Sequence, residues 1–138
     1  IRYITIRLAE DQPMFFGMNL VDKNSKVYVV EGPIDSMFLD NAIAVASSNL
    51  TAAGRFLDKT NMVLVFDNEP RNKDICKLID KAIDDHFNVV IWPEYMHEKD
   101  INDMVLGGFD PDDIKDIIDT NTFVNLRAKA EFVNWKRI

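Results

Sequence analysis

Residues 27–38 read Val27-Tyr28-Val29-Val30-Glu31-Gly32-Pro33-Ile34-Asp35-Ser36-Met37-Phe38. Four β-branched or aromatic residues in a row, without a polar break, are the pattern of a strand covered on both faces, and Gly32-Pro33 marks its end. Strands of that kind belong to parallel sheets flanked by helices. Ligands of such sheets bind beyond the carboxyl ends of the strands, where strand order reverses. Glu31 and Asp35 stand at that end, one directly after the strand and one a helical turn later.

Outward from this stretch the same pattern recurs at 43–46, 62–66 and 88–92, while residues 2–8 alternate polar and apolar like a half-buried strand. Helices are expected at about 33–40, about 50–58 and about 71–86, the last from Ile75, Leu78, Ile79, Ala82 and Ile83 at helical spacing. Asp110-Pro111-Asp112-Asp113 supplies an N-cap, a proline and first-turn acids for a further helix. Phe123, Leu126, Ala130 and Val133 are expected to give a terminal helix its apolar stripe. Strand alternating with helix implies an α/β fold with a mainly parallel sheet. No internal repeat, low-complexity tract or interdomain linker interrupts it.

The chain of 138 residues, 47% hydrophobic and 28% charged, has the make-up of one ordinary globular domain. One cysteine, Cys76, and two histidines, His86 and His97, exclude a disulfide framework and a Cys/His zinc site built from these residues alone, and point to a reducing compartment. No apolar run approaches the ~20 residues of a membrane span. The chain opens on Ile1-Arg2-Tyr3, inside a strand pattern, so a fragment of a longer protein is expected. Its net charge of −7 lies within residues 94–119, where nine acids face two bases, and the remainder is neutral. A charge sum of that sign speaks against a basic nucleic-acid surface.

Acids follow three of the buried strands: Glu31 and Asp35, then Asp67-Asn68-Glu69-Pro70, then Lys99-Asp100-Ile101-Asn102-Asp103. In strand order 2-1-3-4 the first and third strands are neighbours and these carboxylates converge on one crevice. Clustered carboxylates repel unless a cation neutralises them, and hard oxygen donors without histidine or thiolate suit Mg²⁺ or Mn²⁺. Each acid also has a plainer role: Asp35 as a first-turn acid, and 67–70 as a turn. The acids at 110–119 fit helix-start chemistry and a polar helix face, and are left out of the site.

The sequence resembles a Toprim domain, the Rossmann-like catalytic fold shared by DnaG-type primases, topoisomerases and some nucleases. VYVVEGPIDSMF matches that family's hydrophobic strand ending in EGxxD, MVLVFDNEP matches its DxD strand with Glu69 replacing the last aspartate, and KDINDM resembles the third acidic motif of primases. Tyr3-Ile4-Thr5, Phe16-Gly17-Met18 and Ala44-Val45-Ala46-Ser47-Ser48 extend the likeness, and the wording is closest to primases of T-even-type bacteriophages.

The resemblance implies a central four-stranded sheet in order 2-1-3-4, with an extra N-terminal strand and C-terminal helices. It implies a lead-in at 1–22, a Toprim domain at 23–120 and a helical extension at 121–138. Glu31 would be the general acid/base. Asp67 and Glu69 would hold Mg²⁺ or Mn²⁺, two ions in all, helped by Glu31, Asp35, Asp100 and Asp103, with Asn102 completing the third motif. It further implies ribonucleoside triphosphates and single-stranded DNA as substrates, a replicative helicase as partner, and zinc-binding and basic domains elsewhere in the same protein. The expected location is the cytoplasm of an infected bacterium. A Toprim nuclease using the same acids, or a non-catalytic module binding DNA or protein, are the alternatives.

Arg71 and Lys73, at a helix start, are candidates for phosphate binding, or a solvated basic pair beside Asp74. Ser47, Ser48 and Asn49 are candidate nucleotide contacts, with a helix cap ahead of Leu50 favoured. Phe15, Phe16 and Trp92 would be stacking candidates if exposed, with core packing or an interdomain contact favoured by their apolar neighbours. The tail after 120 carries an excess of three positive charges, from Arg127, Lys129, Lys136 and Arg137 against Glu131. No role is assigned to His86, His97 or Cys76.

Overall fold

The computed structural model describes residues 15–138, and the strand expected at 2–8, with Tyr3-Ile4-Thr5, lies outside the described residues. Five strands form one sheet: β1 (Val27–Val30), β2 (Ala42–Ala44), β3 (Met62–Val65), β4 (Asn88–Val90) and β5 (Thr122–Phe123). Their order is β2-β1-β3-β4-β5, so the expected 2-1-3-4 arrangement holds and β5 is added at one edge. The first four strands run parallel, and β5 pairs antiparallel with β4. Val30 lies opposite both Ala44 and Val65, so β1 and β3 end level and the residues after them emerge side by side.

Every residue of β1 and β3 is buried, as their unbroken apolar runs require of strands covered on both faces. The cover comes from α1 (Pro33–Ser36), α2 (Lys73–Asp84), α3 (Ile101–Leu106), α4 (Pro111–Thr120) and α5 (Asn125–Trp135), with 3₁₀ turns at Leu50–Arg55 and Lys59–Asn61. Helix α2 buries Ile75, Cys76, Ile79, Ala82 and Ile83, close to its expected stripe, and Asn72 caps it by accepting from the Asp74 and Ile75 amides. The Asp110 carboxylate caps α4 by accepting from the Asp112 amide, as the Asp-Pro-Asp-Asp run implies.

Three expectations need correction. The helix expected at 33–40 is a single turn: Ser36 Oγ bonds back to Pro33 O at 2.6 Å, and β2 begins only a few residues later. The segment expected at 50–58 is a 3₁₀ turn ending at Arg55. The third acidic motif opens α3.

The terminal helix turns the other way. It buries Ala128, Phe132 and Trp135, while Leu126 and Val133 are exposed and Phe123 belongs to β5. Both stripes have helical spacing. An aromatic ring removes about 150–250 Å² from water, so the register that buries Phe132 and Trp135 prevails over one that buries Leu126 and Val133. Lys129 then pairs with Asp80 and Asp84 of α2, and Arg127 pairs with Glu131 within the helix, so part of the tail's positive charge is already matched.

Candidate active site

The crevice opens where β1 and β3 end. Asp35, Asp67 and Asp100 line one small cleft there with Val30, Val65 and Trp92. Glu31 follows β1 directly and couples to Asp67, Glu69 and Asp100, so five carboxylates from three segments share one electrostatic neighbourhood. The convergence expected of the strand ends is present.

Burial pushes the Asp67 carboxyl up to about 8, and Glu31, Asp35 and Asp100 add to the shift while Lys99 opposes it. Asp35 rises to about 6, first through burial, against a hydrogen bond from the Asn102 amide. Glu31 is also raised, by burial first, with Lys99 pulling it down. Burial is the first cause of all three shifts, and the neighbouring carboxylates add to it.

The bonds around the cluster separate holding groups from free ones. Asp35, only 8% exposed, accepts from the Asn102 amide at 2.8 Å and so joins α1 to the start of α3, a task larger than a first-turn acid's. Asp100 accepts from the Asp103 amide at 2.8 Å and is the N-cap of α3. Asp103 is exposed in the first turn of that helix, and it enters the cluster's electrostatics only beside Asp35. Asn102 contributes its backbone.

Asp67 and Glu69 face Lys99, whose Nζ lies 3.9 Å from Asp67 Oδ2 and 3.8 Å from Glu69 Oε1. Asn68, between the two acids, points the other way: its Nδ2 donates to the carbonyls of Met96 and Glu98, and its Oδ1 accepts from Trp135 Nε1 at 3.0 Å. Its amide donates to the Lys99 carbonyl at 2.6 Å, which ties the β3 end to the third motif. Trp92 is buried, as expected, and its indole donates to the Phe66 carbonyl at 2.9 Å.

The other candidates stand apart from the cluster. Ser47, Ser48 and Asn49 follow edge strand β2, where Ser47 Oγ accepts from the Asn49 amide at 3.2 Å and Asn49 Oδ1 accepts from Thr51. Asn49 occupies the cap position without a side-chain bond to the turn's amides. Arg71 borders a cavity of about 530 Å³ with Trp135 and Arg137, on the Asn68 side of the motif, and Lys73 opens α2. Asp119, on the polar face of α4 as expected, accepts from the Tyr28 hydroxyl at 2.5 Å and pairs with Lys26 and Lys115.

Lys99, Asn68 and Trp135 are the residues that sequence reasoning passed over. A signal existed for one of them, in the turn read at 67–70. In a tight turn whose Glu69 amide bonds back to the Asp67 carbonyl at 2.9 Å, Asn68 takes the apex and its side chain leaves the side of the two acids.

Carboxylate oxygens with no thiolate or imidazole among them suit a hard divalent cation, and the unneutralised charge fits one. Asp67 and Glu69 are the pair that already share a cation. Among the described residues no three His, Cys, Asp or Glu side chains stand in a ready-made metal geometry, so a cation would draw the carboxylates together as it bound. No described helix is long and apolar enough to cross a membrane.

Fold and site together define a Rossmann-like α/β protein with an acidic crevice at the ends of its two central strands. No protein-family profile matches the chain. The chain is 35% identical, over 140 aligned positions and 99% of its length, to the DNA primase of Enterobacteria phage T4, and it spans 40% of that protein.

Proposed function

We propose that the chain is the Toprim catalytic portion of a DNA primase, joining ribonucleotides on single-stranded DNA by nucleotidyl transfer that depends on a divalent metal. The observation that carries this reading is the gathering of Glu31, Asp67 and Glu69, with Asp35 and Asp100, into one under-neutralised crevice, in a chain related to a phage primase.

In this reading Asp67 and Glu69 hold Mg²⁺ or Mn²⁺. Glu31 takes the proton of the attacking 3′-hydroxyl, and its raised pKa suits proton transfer nearer neutral pH than an ordinary glutamate allows. Asp35 and Asp100 hold α3 against the crevice and add field to it. Bound metal would supply charge neutralisation at the reacting phosphate and lower the pKa of the hydroxyl. Template grip falls to the remainder of a longer protein, with its zinc-binding and basic parts and a replicative helicase as partner.

In the full-length protein, Glu31→Gln is expected to abolish synthesis of labelled primers on single-stranded DNA while circular dichroism stays unchanged. Wild-type primer levels from that variant would overturn the assigned role. Cleavage of DNA without primer synthesis by the unaltered protein would instead favour the nuclease.

A further inference from the structure

We propose that Lys99 is a built-in counter-cation of the acidic crevice, which stands between Asp67 and Glu69 until a divalent ion arrives and then gives way to it. This rests on the metal-dependent reading of the same site and adds a residue that controls when the site loads.

Three observations carry it. The ammonium lies almost equally far from the two carboxylates, at 3.9 and 3.8 Å. Both distances exceed those of a good charge-assisted hydrogen bond, so the lysine neutralises without binding tightly. The backbone at Lys99 is clamped by the Asn68 amide, which fixes the root of the side chain over the Asp67-Asn68-Glu69 turn while its end is 53% exposed and free to swing.

Coulomb's law sets the direction of exchange. A divalent ion in direct contact with a carboxylate, at the ~2.0–2.1 Å usual for Mg²⁺, brings twice the charge to about half the distance, roughly four times the attraction of this ammonium. A half-exposed ion pair contributes little to stability, so its displacement costs little. Between occupancies Lys99 keeps Asp67 and Glu69 apart from unopposed repulsion, and it sets a threshold that weakly held or monovalent cations do not pass.

The test is a calorimetric titration of the full chain with Mn²⁺, comparing wild type with Lys99→Met and Lys99→Gln. Removal of the competing charge is expected to tighten Mn²⁺ binding by about tenfold. Without metal both variants are expected to melt earlier than wild type, and saturating Mn²⁺ is expected to restore them to the loaded wild-type value, which a purely structural lysine would not allow. Unchanged or weaker Mn²⁺ binding in both variants overturns the counter-cation role and leaves the metal site standing. Absence of Mn²⁺ binding to wild type and variants alike overturns both.

Discussion

Acids stand at both ends of the four-residue strand β1, a cluster at one and a single aspartate at the other. Beyond Val30 lie Glu31, Asp35, Asp67, Glu69 and Asp100 with one half-exposed lysine. Beside Val27 lies Asp119, held by the Tyr28 hydroxyl, Lys26 and Lys115. The cluster drives carboxylates up, to about 8 at Asp67 and about 6 at Asp35. At the other end, hydrogen bonds from Lys115 and Tyr28 outweigh burial and hold Asp119 below its ordinary value, while burial and Asp119 push Tyr28 up to about 12. An acid whose charge is matched serves the fold. Acids crowded together without matching charge await something from outside.

The sharpest way to break this contrast is Asp67→Ala, expected to weaken Mn²⁺ binding by more than about a hundredfold, whereas Asp119→Ala leaves it unchanged. Titration calorimetry on both variants decides it, and equal losses would dissolve the distinction.

Stability is expected to move in opposite directions. Asp119→Ala strips the partner from a largely buried tyrosine hydroxyl and is expected to cost about 1–2 kcal/mol in urea unfolding. Asp67→Asn removes a repelled charge and is expected to raise the metal-free stability by about 1 kcal/mol. A loss in both variants would mean that the crevice is compensated after all.

The contrast also gives stability a slope with pH. Asp67 and Asp35 have folded pKa values above the ordinary 3.8, so between about pH 4 and about pH 8 the folded chain holds protons the unfolded chain has released. Stability of the metal-free protein therefore falls as pH rises through that window. Asp119, with its lowered value, adds stability present above about pH 4 and lost below it, so it adds no slope in the window. Saturating Mn²⁺, which binds only the ionised carboxylates, should reverse the slope, and thermal melts at fixed pH steps would show it.

Much of this was legible in the residues because the central strands bury both faces. Val27-Tyr28-Val29-Val30 and Met62 to Phe66 admit no second reading, and the strand order brought their terminal acids together. Elements decided by contacts distant in sequence were not legible. The two residues of β5 are too short to show a period, and α5 offered two stripes of equal spacing, between which the bulk of Phe132 and Trp135 decided. Lys99 stood inside a quoted motif, but only the folded chain brings its ammonium to the end of β3. Asp119 read only as part of a polar helix face, because Tyr28, its partner, lies 91 positions away.

The chain contains two tryptophans, and their indoles donate to the carbonyl of Phe66 and the side chain of Asn68, the residues on either side of Asp67. Both rings are nearly buried. Their ultraviolet emission is therefore an internal gauge of the β3 terminus: a shift of that turn strains or relaxes both indole hydrogen bonds, and occupancy of the crevice can be followed optically without any added label.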